Sequence, residues 1–112
     1  MKAFKTNKYL SARHLQGYLN EHLNDLFKAK IQKDIAMQIT LTGEHTIEIG
    51  QPQFYDSFLY KMIVKGDELQ LIKSEHYVDD VYNLALEDIV LNLIESYIGQ
   101  ENIVSVFGEI SG

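Results

Sequence analysis

The chain contains no cysteine. That absence excludes disulfides, thiol nucleophiles and thiolate metal sites together. Proline is nearly missing as well: Pro52 is the only one in 112 residues, and the seven glycines are dispersed. No stretch reads as an interdomain linker, so a single domain over 1–112 is expected, with residues 1–9 as a basic N-terminal arm. No apolar run approaches the roughly 18 residues of a membrane span. The opening "MKAFKTNKYLSARH" lacks the apolar core of a secretory signal. A location in the cytoplasm, away from membranes, is therefore expected, and the lack of cysteine suits it.

Positive charge is missing from the last third of the chain. Residues 1–73 hold all ten Lys and Arg and eight acids, a balance of +2. Residues 74–112 hold the other eight acids and no Lys or Arg, a balance of −8. Phosphates would be repelled by this second part, so direct nucleic-acid binding is not expected and a protein partner with a basic surface is. The remaining composition, 46% hydrophobic and 23% charged, is that of a globular chain with a core rather than of a disordered one.

Periodicity supplies the elements. Leu15, Leu19, Leu23, Leu26 and Phe27 recur at helical spacing, predicting a helix over 11–30 with Ser11 as its N-cap. "IAMQITLT" alternates as a half-buried strand, "TGEH" turns and "TIEI" returns. "FYDSFLYKMIVKGDELQLIK" predicts a second hairpin, with strands at 58–65 and 69–73 around Gly66-Asp67. "FLYKMIV" is apolar on both faces and reads as the central strand. A second helix is expected from Val78 or Asp79 to Tyr97, capped by Asp79 or Asp80 and stopped at Gly99. "NIVSVF" gives a last strand. The order α-β-β-β-β-α-β predicts a two-layer α+β fold, with an antiparallel sheet of four to five strands covered by two helices.

The second helix raises a question. Residues placed 100° apart put Val81, Tyr82, Ala85, Leu86, Ile89, Val90, Leu93, Ile94 and Tyr97 on a wide apolar arc. The opposite arc carries Asp80, Glu87, Asp88, Asn92 and Glu95, and Leu84 and Leu91 lie within it in register. Burial on several sides of the helix would explain the leucines. A contact surface, with an apolar anchor inside a charged rim, explains the acids too. Phe54 and Tyr55, in the connection after Pro52, are either plugs of the core or contact residues.

Catalytic signatures are absent. The sequence holds no nucleophile elbow, P-loop, dinucleotide fingerprint or H-E-x-x-H. His14 and His22 would stand about 12 Å apart along one helix, too far to share a zinc. The acid pairs Asp67-Glu68, Asp79-Asp80 and Glu87-Asp88 suit a turn, a cap and a solvated face. Neither enzymatic activity nor any cofactor or metal is expected. Lys2, Lys5 and Lys8 interleave with Phe4 and Tyr9, a weak form of the charge-and-stacking pattern used on single strands.

The leading expectation is a small acidic inhibitor or adaptor. Its partner-binding residues would be Asp80, Leu84, Glu87, Asp88, Leu91 and Glu95, with Phe54 and Tyr55, docked on a basic groove. If that groove holds nucleic acid, the protein would be a nucleic-acid mimic, as some small phage or mobile-element antagonists are. The alternative is a self-assembling structural protein such as a phage neck or tail component, a homo-oligomer joined head to tail by opposite charge.

Overall fold

The computed structural model describes residues 1–110; Ser111 and Gly112, the last residues of the expected domain, lie outside the described residues. Six strands and two helices follow in the order β1 (Lys2–Thr6), α1 (Ala12–Ile31), β2 (Gln38–Leu41), β3 (Thr46–Gly50), β4 (Tyr60–Lys65), β5 (Glu68–Lys73), α2 (Val81–Ile98) and β6 (Ile103–Gly108). One antiparallel sheet holds all six strands in the spatial order β2-β3-β4-β5-β1-β6. This is the expected two-layer α+β fold, with the order α-β-β-β-β-α-β intact and one further strand before it.

The further strand is β1, drawn from the residues expected as a basic arm. It has too few apolar residues to alternate visibly, yet Phe4 and Ala3 are both buried. Phe4 points to the helix layer beside Leu69, and Ala3 points to the opposite face beside Phe107. The Thr6 hydroxyl donates to the Asp67 and Lys8 carbonyls, so this buried polar group is satisfied. Tyr9, by contrast, is 85% exposed, so the aromatic residues of this segment do not form one stacking platform.

Lys5 ties β1 to the β4–β5 turn through Asp67 Oδ1 at 2.8 Å. This mutual hydrogen bond and ion pair lower the Asp67 pKa and raise that of Lys5. The stabilisation is complete between the ordinary carboxylate and lysine values. It is lost as pH falls through the lowered Asp67 value, and again as pH rises through the raised Lys5 value. Both groups are well solvated, so the effect is small. Asp67→Asn is expected to melt slightly below the parent at neutral pH and together with it in strong acid, as thermal melts across pH would show.

Helix α1 starts where Ser11 accepts from the His14 N–H and ends at Gln32 in the left-handed region. Leu15, Leu19, Leu23 and Phe27 are fully buried along one stripe, whereas Leu26 remains 48% exposed. The helix also covers part of one border of the sheet. Asn24 donates to the Met37 carbonyl and accepts from the Met37 N–H, and Gln16 donates to the Ile39 carbonyl. These outward groups of the β2 segment thus have side-chain partners in place of a further strand.

Strand β4 lies in the interior of the sheet. Tyr60, Met62 and Val64 face the helices, while Lys61, Ile63 and Lys65 face the other way. Among the described residues no second layer covers that other face. Lys61 lies over the Phe58 ring at 4.7 Å and 3.9 Å from Glu48, so the face is a mixed polar surface.

Candidate functional site: the outer face of the second helix

Asp80 is where the site begins. It is the N-cap of α2, accepting from the Tyr82 and Asn83 N–H groups at 2.9 and 3.1 Å. The same oxygen, Oδ1, accepts from the Tyr55 hydroxyl at 2.5 Å. An N-cap satisfies donors that the first turn leaves orphaned. Here it also anchors the 51–58 connection, because Tyr55 is buried and belongs to the core. Burial first, and then the bond to Asp80, push the Tyr55 phenol well above its ordinary pKa. Tyr77 donates to Asp56 across the same junction.

Asn83, one turn in, is fully buried. Its Nδ2 donates to the Tyr77 carbonyl at 2.8 Å, and its own carbonyl accepts from the Tyr60 hydroxyl at 3.3 Å. Its Oδ1 has no hydrogen-bond partner among the described residues. Asn83→Asp would place a charge there with no cation to meet it. That substitution is expected to destabilise the fold by about 2–4 kcal/mol, measurable by denaturant unfolding.

The rotation of α2 differs from the one periodicity implied. Asn83, Leu86, Val90 and Ile94 form the line of deepest burial, and Val81, placed in the apolar arc by its character, is 74% exposed. The helix is apolar on almost every side, so pattern alone cannot phase it; Asn83, the polar residue that fixes the phase, points inward. The outward face carries Val81, Leu84, Asp88 and Asn92, with Glu95 at its margin.

The structure divides the eight candidate residues. Leu84 is 52% exposed and Phe54 53% exposed, both open to contact. Phe54 leans on Tyr82, ring centroids 6.3 Å apart, beside the first turn of α2. Asp88 is exposed, 3.6 Å from Lys30, and Glu95 makes no ion pair among the described residues. Leu91 is half-buried against the core. Glu87 is bound to Lys73 at 2.9 Å, and that lysine side chain is only 6% exposed. Asp80 and Tyr55 are committed to each other and to the helix cap. The open surface is therefore Leu84, Asp88, Glu95 and Phe54, joined by Val81, which sequence reasoning assigned to the core.

Sequence reasoning also missed a shallow concavity of about 300 Å³, lined by Gln38, Thr40, Glu48, Tyr55 and Phe58 among others. It opens where the 51–58 connection meets β2 and β3. Its lining side chains come from separate elements, so no local motif marks it. Among the described residues no three His, Asp or Glu side chains converge as a metal site. No helix among them is long and apolar enough to cross a membrane.

No protein-family model, curated protein or solved structure matches the chain.

Proposed function

We propose that this protein is a cytoplasmic, non-enzymatic binding module, an inhibitor or adaptor that docks the outer face of α2 on a basic groove of another protein. One observation carries the reading: Val81 and Leu84 are exposed on the same helix face as Asp88 and Glu95. Apolar anchors inside an acidic rim fit an interface in which the anchors supply affinity and the acids supply steering. No Lys or Arg follows residue 73, so α2 itself contributes no cation to this face. A groove of the stated charge is one that also receives phosphates, which makes nucleic-acid mimicry the natural form of inhibition.

Charge reversal at Glu87 would confuse folding with binding, because it would strand Lys73. The test therefore uses Leu84→Arg with Asp88→Lys and Glu95→Lys. Wild-type protein immobilised as bait is expected to capture a partner that salt or a DNA duplex displaces. The triple variant should bind that partner at least about 100-fold more weakly with its circular dichroism unchanged. Glu44→Lys, on the β2–β3 turn, should bind normally. Capture that ignores the triple variant would sink the helix-face reading.

The second reading, a self-assembling structural protein of the phage neck or tail kind, draws support from a different feature. The β6 edge of the sheet is open. Head-to-tail pairing by charge is less favoured, because Lys30 and Lys73 already meet Asp88 and Glu87 within the chain.

A further inference from the structure

The two borders of the sheet are built differently. At the β2 border, Asn24 occupies both backbone groups of Met37, and Gln16 occupies the outward carbonyl of Ile39. At β6, among the described residues, the Ile103 N–H donates to the Gln100 carbonyl at the start of the strand, and no side chain bonds the outward groups beyond it. The direction of its free groups follows from its neighbours. The Thr6 N–H donates to Asp67 on the β5 side, and the Asn7 N–H donates to Asn102 on the β6 side. Antiparallel ladders alternate, so β1 uses Ala3 and Lys5 to bond Phe107 and Ser105. The backbone groups of Val106 and Gly108 are left pointing outward.

The side chains of this edge are equally open. The six residues Ile103–Gly108 carry no charge, in a chain of net charge −6. Val104, Val106 and Phe107 are 65%, 45% and 51% exposed. Natural edge strands are usually blunted by charge, proline or a covering element. This one has the irregularity at Lys5/Thr6 and a positive φ of 82° at Gly108, the last residue of the strand, with Val106 extended between them.

We propose that β6 pairs antiparallel with β6 of a second copy, about a two-fold axis through Val106, to form a continuous twelve-stranded sheet. The second copy is the occupant that fits on two counts. A two-fold through Val106 makes it exchange both backbone hydrogen bonds with its own counterpart. The same register sets Phe107 of one copy against Ser105 of the other, a large ring beside a small residue, on the face away from the helices. Because Asn24 and Gln16 already cover the first part of the β2 border, β6 is the more available edge and assembly is expected to stop at two. The inference stands apart from the basic-groove reading, since either can fail without the other.

Sedimentation velocity over a concentration series tests it. The expected species has twice the mass of the chain. Val106→Pro removes the outward N–H without touching the ladder to β1 and should weaken association at least about 100-fold. Val106→Lys, which sets two cations against each other across the axis, should do the same. If the proline variant loses its fold, the lysine variant decides. Hydrogen exchange gives a second readout: the Val106 amide should slow as concentration rises, while Ser105 and Phe107 stay protected throughout. A monomer at every concentration, a dimer indifferent to both substitutions, or assemblies larger than two would each overturn the proposal. So would a Val106 amide that gains protection only when a different protein is added.

Discussion

Glu87→Ala is expected to cost about 3 kcal/mol of stability, while Asp88→Ala, its neighbour in sequence, costs at most about 1 kcal/mol. The difference lies in the partner. Glu87 accepts from Lys73 at 2.9 Å, and the Lys73 side chain is 6% exposed against 28% for Glu87. Removing the carboxylate leaves an ammonium group that water can barely reach, and breaking a buried pair costs several kcal/mol for that reason. Asp88 is 74% exposed and Lys30 41% exposed, so their attraction is screened and either can be solvated alone. Burial and the nearby Glu87 and Asp88 carboxylates also raise the Tyr60 pKa beneath the helix. Thermal melts should show a drop of roughly 12 °C for Glu87→Ala and a few degrees at most for Asp88→Ala. Lys73→Met in the Glu87→Ala background should recover much of the loss, because the uncompensated charge is gone. Equal destabilisation by the two single variants would refute the distinction between a folding carboxylate and a surface carboxylate on this helix.

Asp80→Ala is expected to cost about 2.5–4 kcal/mol, more than an ordinary cap, because one oxygen serves two structures. The cap alone contributes about 1 kcal/mol. The hydroxyl of buried Tyr55 adds a charge-assisted bond, about 1.5–3 kcal/mol when broken. Asp80→Asn keeps an acceptor for the helix and should recover about half of the loss. Tyr55→Phe should cost about 1 kcal/mol by itself, since it removes the donor together with its need for a partner. A double-mutant cycle between positions 55 and 80 is expected to return a coupling of about 1 kcal/mol. A coupling near zero would mean that the connection and the helix start are held independently.

The architecture was legible because the strongest periodicities were local. Ser11, Leu15, Leu19, Leu23 and Phe27 define α1, and the largely apolar run "FLYKMIV" marks an interior strand, although the expectation of two apolar faces fails at Lys61 and Lys65 on the outer side. Strand β1 escaped notice because its burial comes from neighbours distant in sequence: Phe4 meets Leu69, and Ala3 meets Phe107. The candidate site was legible in part. Leu84 and Asp88 stood out correctly as outward residues, and Asp80 as a cap. Glu87 looked like the other acids of its helix because Lys73 lies on another element. Val81 was misplaced and Asn83 overlooked for one reason: a helix apolar almost all round is oriented by a single buried amide, whose partners Tyr77 and Tyr60 come from elsewhere in the chain.

The position of β1 between β5 and β6 has a consequence in time. Within this sheet the strand earliest in the chain is hydrogen-bonded to the one latest in it, so residues 2–6 must wait until residue 108 has left the ribosome before both their sides are satisfied. Pairing of such high sequence separation closes late and slowly. Until then β5 and then β1 serve as temporary edges, and the five strands β1–β5 with α1 are the largest unit that can form before β6 is complete. Truncating residues 1–9 would accordingly detach β6 from the sheet, turning a question about assembly into one about folding.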